Sequence, residues 1–499
     1  MISTLTRTWP LWVLFAGFYF PVGISLYEDF LAGDVSEAAA GFWAALPLLV
    51  STALLVLVSA LLATTIGAID ALVFSTYRRP YGAFFWLLPG LLMTFTTPPA
   101  AVASAIQASL GSSLLIGGAR DEVGTILLLT LRWMPVAFLV LSGLSLTIPL
   151  PQEQALRMLP PGKAFRLRWQ LQKPWRRGCF LLLFLLMLPA AEIPSYTGVE
   201  TIGRRIMARL TIGDGLSGWW LAAGMALLVL PGIIRLLPKE IRWGRSFQVM
   251  PVQGLPEAAW TRVWWAIRLL PVGALLLVLG KTAWPQASLA PQATAEFLAA
   301  LWAGFREVPR ALLVVSLAFA CCWALAQNPG RRSLLLWCLP TLLPGSLVGL
   351  ALATAVRPWI PFEFDRFPIL LSLAQVVQLG GLAVMTALLS LWMIPEAEMK
   401  SAMQVPPGAA RWRILLPRSM PVLLPAGVLG MLLILGEVQS TLLLAPPGHP
   451  SPALELHQLL HFRNDEQAAR LALAMVVISF LWTWLFSALV RREGGTVER

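Results

Sequence analysis

Apolar runs of about twenty residues, separated by short charged stretches, recur along the whole chain, and this constrains the fold more than any other feature. A helix that crosses the hydrocarbon layer of a bilayer needs about 20 apolar residues. Runs of that kind lie near 10–27, 43–75, 84–110, 123–147, 178–198 and 217–237, and again near 263–284, 308–326, 333–356, 368–393, 420–445 and 469–490. The spacing predicts an all-α integral membrane protein of about twelve transmembrane helices. The 43–75 run is too long for one perpendicular crossing, so it predicts a tilted span or one with an interfacial turn. The first run follows Arg7 as a secretory signal would. Tyr27-Glu28-Asp29 comes next instead of a small-residue cleavage site, which favours an uncleaved first span.

Charge supports the same reading. Only 12% of the 499 residues are charged, against about a quarter in an ordinary soluble domain. The net charge of +12 raises the question of nucleic acid. With Arg7 inside, however, about 25 of the 37 Lys and Arg residues fall in alternate loops on the same side. Acids such as Glu28, Asp29, Asp34, Glu37, Asp121 and Glu122 fall on the opposite side. A positive-inside distribution therefore accounts for the basic excess, places both termini in the cytoplasm, and removes the motive for a nucleic-acid partner. The 22 Trp residues suit aromatic belts at the two membrane faces. Cys179, Cys321, Cys322 and Cys338 form no CxxC pair and read as small buried apolar residues.

The chain also repeats. Ile148-Pro149 precedes Pro160-Pro161-Gly162, and Ile394-Pro395 precedes Pro406-Pro407-Gly408 at the same interval, 246 residues on. Each block lies between the fourth and fifth runs of its half and precedes a run carrying an acid, Glu192 or Glu437. An even number of spans per half makes the halves parallel repeats related by an axis along the membrane normal, a common transporter plan. The expected division is 1–245 and 246–499, with equivalent basic loops near 150–177 and 394–419. In the second loop an acid-headed stretch from Glu396 ends at the Pro-Pro-Gly turn, and a second short helix is expected up to Pro417. Two short helices meeting at a fixed turn make a rigid projection suited to a cleft on a soluble partner.

The pattern Glu398, Ala402, Gly408, Ile414, Leu416, Pro417 resembles the EAA loop of permease subunits of binding-protein-dependent ATP-binding-cassette importers. The first copy, Glu153, Ala155, Gly162 and Pro174, is a longer and looser version. The stretch Leu435 to Gly448 is similar to fused permeases of the ferric-iron, thiamine and phosphonate group. The resemblance implies a type I importer permease fold in which the two loops couple to ABC ATPase subunits, expected as a dimer. It also implies a periplasmic or extracytoplasmic substrate-binding protein and residence in a bacterial inner membrane. Such a chain is a transport subunit and not an enzyme. No GxxxxGK[ST] loop occurs here, so ATP and Mg would be held by the partner ATPase. Ferric iron is the first cargo the resemblance suggests, followed by thiamine or a phosphonate.

Arg132, Glu192, Gln375, Gln378 and Glu437 fall inside the apolar runs. Ionised groups there are costly and face a cavity or a partner, so these five are the candidates for a translocation pathway; an inter-helix bond without a transport role is the other reading. His449, His457 and His461 gather in the last outside loop, where two of them share helical spacing. Without further ligands they read as part of an ordinary polar loop and not as a metal site. Two other functional classes fit polytopic chains: an ion-coupled secondary transporter, which would show buried carboxylates and broken helices, and a membrane enzyme, which would gather acids and His at one face.

Overall fold

A computed structural model of the chain describes residues 9–32, 35–76, 122–145, 156, 158–211, 215–236, 259–284, 290–326, 331–361, 367–392, 394, 398, 401, 404, 409–446, 451–462 and 464–496. These residues are almost entirely helical, as a chain with long apolar runs must be. In lipid every backbone N–H and C=O has to be satisfied within its own segment.

The first half begins with α1 (Trp9–Leu31), which contains a π-helical turn at Phe15–Tyr19. It continues through α2 (Val35–Thr76), α3 (Glu122–Ser145), α4 (Pro161–Leu171), α5 (Lys173–Met187), α6 (Glu192–Thr197), α7 (Ile202–Thr211) and α8 (Gly215–Leu236). The second half contains α9 (Ala259–Ala283), α10 (Ala290–Ala326), α11 (Arg331–Cys338), α12 (Gly345–Ala355), α13 (Ile369–Gln378), α14 (Gly380–Trp392), α15 (Ala409–Leu435), α16 (Gln439–Leu444), α17 (Pro452–His461) and α18 (Asp465–Thr496). In both halves a long helix is followed by a break, a short helix, a second short helix and a last apolar helix (α5 to α8, and α15 to α18).

Among the described residues, five helices are long and apolar enough to cross a membrane, and seven if each of two bent pairs counts as one span. The bent pairs turn by 104° between Leu342 and Gly345 and by 54° between Gln378 and Gly380. This is fewer than the twelve expected from apolar runs. The 84–110 run lies outside the described residues. The 123–147, 178–198, 217–237 and 420–445 runs are helical but do not pass this count; two of them are interrupted, after Met187 and after Leu435. The 43–75 run contains no interfacial turn. It forms one 42-residue helix, α2, with Pro47 inside it. At about 1.5 Å per residue it is roughly twice as long as the hydrocarbon layer is thick. Outward-facing Leu54, Leu61, Leu270, Leu277 and Leu313 are all exposed, the pattern expected of helices solvated by lipid.

Close packing relies on small residues. A Cβ on Gly67 would come within 2.8 Å of Phe138 N and 2.9 Å of Met134 O, so α2 and α3 touch backbone to backbone. The halves are interlocked. α1 packs against α12 and α13 of the second half, with Gly17 against Leu373 and Val377 and the Tyr19 hydroxyl donating to Leu336 O at 3.1 Å. A second tie is ionic. Arg268 on α9 donates from Nε and Nη2 to both oxygens of Asp70 on α2, at 3.0–3.3 Å, and Trp264 Nε1 donates to the same carboxylate at 2.8 Å. All four cysteines are free and buried.

Candidate functional site

The site is built where helices break. α5 ends at Met187, and Pro189 has no N–H to continue the ladder. The chain restarts at Glu192 as α6, which Gly198 terminates in the left-handed region at φ 79°. In the second half α15 ends at Leu435, and Glu437 stands just before α16. Its carboxylate accepts from Ser440 N at 2.7 Å, Ser440 Oγ at 2.6 Å and Thr441 Oγ1 at 3.1 Å, capping the free N–H groups that begin a helix. Each acid thus stands at the start of a short helix inside an apolar run.

The α13–α14 bend supplies the amides. Gln375 and Gln378 occupy the last turn of α13. Thr341 Oγ1 donates to Gln378 O at 2.9 Å and accepts from Gly381 N at 2.7 Å, which staples the bend. Gly380 has no room for a side chain, because a Cβ there would run into Trp337 O.

These elements line a cavity of about 150 Å³ between the halves. Arg132, Glu192, Gln375, Gln378 and Glu437, drawn from widely separated parts of the chain, all line it. Arg132 Nη1 lies 2.6 Å from Glu192 Oε2, and both side chains are about nine-tenths buried. Gln375 Oε1 accepts from Arg310 at 2.6 Å, and its Nε2 approaches Glu437 Oε2 at 3.5 Å. Arg310 is itself paired with Glu307 at 2.7 Å. Polar residues of both halves therefore meet around one cavity, and the burial of Arg132 and Glu192 strengthens their interaction.

Of the loop residues singled out from the sequence, Gly162, Pro174, Glu398, Ile414, Leu416 and Pro417 are described, and none of these six lines the cavity. Glu153, Ala155, Ala402 and Gly408 lie outside the described residues. Gly162 falls in the first turn of α4, with Pro160 as its N-cap and Pro161 at the first helical position. Pro174 falls in the first turn of α5. The α4–α5 corner is well packed: Leu156 and Arg168 are buried, and the Arg176 guanidinium lies 3.7 Å from the centre of the Trp169 ring while donating to Trp169 O. In the second loop Glu398 is half-buried. The short helix expected to stop at Pro417 does not stop there. Ile414, Leu416 and Pro417 belong to α15, which runs unbroken from Ala409 to Leu435. Pro417 is exposed and is carried inside this helix, at the cost of one backbone hydrogen bond.

His457 is half-buried on α17 and His461 ends that helix; His449 lies outside the described residues. Burial raises the Glu455 pKa above the usual carboxylate range. Among the described residues no group of three His, Cys, Asp or Glu side chains could hold a metal ion.

Sequence reasoning passed over several residues that matter here. Asp70, Glu307 and Arg310 are charged positions in or beside apolar runs, and the rule that selected Arg132 would have selected them. Trp133, Thr341 and Gly345 also line the cavity, but nothing in their spacing marks them. The chain matches no protein-family model, no curated protein and no solved structure.

Proposed function

We infer that this polytopic membrane protein is the duplicated permease subunit of an ATP-driven importer that moves a small solute by alternating access. One observation carries the reading: polar residues from both halves converge on one cavity, the arrangement a pathway between two repeats requires. The two basic loops at equivalent positions support it as sites for ABC ATPase subunits, which would bring ATP and Mg. The two halves are 1–245 and 246–499, the termini face the cytoplasm, the membrane is a bacterial inner membrane, and a periplasmic binding protein delivers cargo. Among cargoes, the resemblance favours ferric iron, then thiamine or a phosphonate.

Co-purification with a neighbouring ATPase tests this. Capture by the wild-type chain and its loss in Glu153→Arg/Glu398→Arg is the expected result; a well-folded chain that captures no candidate ATPase overturns the reading. Ion-coupled transport is the second reading, favoured by the broken spans at Glu192 and Glu437. Uptake that follows an imposed proton or sodium gradient without ATP would establish it instead.

A further inference from the structure

The cavity's hydrogen-bond inventory is unbalanced. Both carboxylates are engaged: Glu192 by Arg132, and Glu437 by the start of α16, two hydroxyls and Gln375. The unmatched groups on lining residues are donors. Arg132 Nε, Trp133 Nε1 and Gln378 Nε2 are buried without a hydrogen-bond partner among the described residues. Buried polar groups in folded proteins are nearly always paired, so three orphan donors around one cavity call for an acceptor from outside the chain.

Charge acts in the other direction. The lining holds one cation, Arg132, and two carboxylates, Glu192 and Glu437, so a simple anion meets an excess of negative charge. Gly345 brings the two demands together. A Cβ at this position would lie 2.8 Å from Gln378 Nε2 and 3.0 Å from Glu437 Oε1. An orphan donor and a carboxylate oxygen thus lie side by side against Gly345, where any side chain would crowd them. A space of this volume takes a ligand of about six non-hydrogen atoms.

The geometry points to a binding site for a small zwitterion, its oxyanion toward Arg132, Trp133 and Gln378 and its ammonium group toward Glu437. This names the cargo class of the cavity read above as a transport pathway, and it departs from a metal cargo. A bare cation supplies no acceptor to the three donors, and a hard metal ion needs about six oxygen ligands of its own.

The test is calorimetric titration of the full-length chain in lipid nanodiscs. The ligands are glycine, L-alanine and β-alanine, with propionate and isopropylammonium as matched single-charge probes. The expected result is binding of at least one zwitterion, with both single ions at least tenfold weaker. Glu437→Gln keeps an oxygen to cap α16 and should erase most of the preference for alanine over propionate. Gln378→Met should weaken both. Equal binding of propionate or the amine, or no binding by any of the three zwitterions, overturns the proposal; the wild-type ratios decide this even if a variant fails to fold. ATPase capture without zwitterion binding refutes the cargo class alone, whereas zwitterion binding without capture refutes the ATP-driven reading alone.

Discussion

Replacing Arg132 with Met should destabilise the protein far more than replacing Arg132 and Glu192 together. The pair is 2.6 Å apart and about nine-tenths buried on both sides, so solvent screens it little. With charge centres about 4 Å apart and an effective dielectric near 20, its Coulomb energy is about 4 kcal/mol. Removing one partner strands the other charge, at a cost of about 3–5 kcal/mol, whereas removing both is close to neutral. Arg132→Met should therefore melt well below the wild type, and Arg132→Met/Glu192→Gln should recover most of the loss. Thermal unfolding of the purified chain, followed by tryptophan fluorescence in one detergent, measures the ranking. A double variant that melts no higher than the single one would refute the reasoning, since the carboxylate would then carry no stranded charge. Uptake by the same double variant bears on the site: the cavity reading expects a stable protein that transports poorly, and wild-type uptake would reduce the pair to a structural tie.

Gly345→Ala should move the melting temperature little, because its Cβ would meet side-chain atoms of Gln378, Glu437 and Gln439 and no backbone, yet uptake should fall on the order of tenfold, the equivalent of about 1.4 kcal/mol. Gly67→Ala should do the opposite and cost about 1–3 kcal/mol of stability by overpacking, because its Cβ would meet the backbone of α3; a melt matching wild type would deny that close contact. Asp70→Ala should destabilise more than Asp70→Ala/Arg268→Met, since the single change strands a buried guanidinium, and the two melting curves decide it. Glu455→Gln should stabilise the protein at neutral pH and not at acid pH. Its folded pKa is raised by burial, so the wild-type carboxyl is accommodated below the unfolded value and disfavoured as pH rises through the folded one; equal effects at both pH values would count against it.

The cavity was legible in the sequence because its chemistry breaks the local rule. Arg132, Glu192 and Glu437 are ionisable residues in otherwise apolar runs, and the cost of placing them in lipid predicts that they meet something polar. Which residues they meet was not legible, because pairing Arg132 with Glu192 depends on where α5 breaks. Helicity was legible from apolar run length, but the bend at Gln378 was not. It arises from the close approach of Gly380 to Trp337 O, a contact between separate helices. The end expected at Pro417 failed because a proline inside a helix costs one backbone bond and bends the axis without having to end it, and the apolar run beyond it continues to Leu435. Asp70 escaped notice although it is an acid inside an apolar run; its partner Arg268 lies 198 residues on, and no local pattern predicts a pairing that joins the two halves.

The seating of α1 against α12 and α13 has a consequence for how the protein is made. Membrane helices enter the bilayer in the order of synthesis, so α1 is inserted long before Leu373 and Val377 exist. Until then the face around Gly17 and Phe18 must be covered by lipid or by a membrane chaperone. The first half therefore has no finished structure while it is alone on the ribosome. Truncation after residue 245 should yield a product prone to degradation, and the same fragment should be protected when the rest of the sequence is supplied on a separate chain.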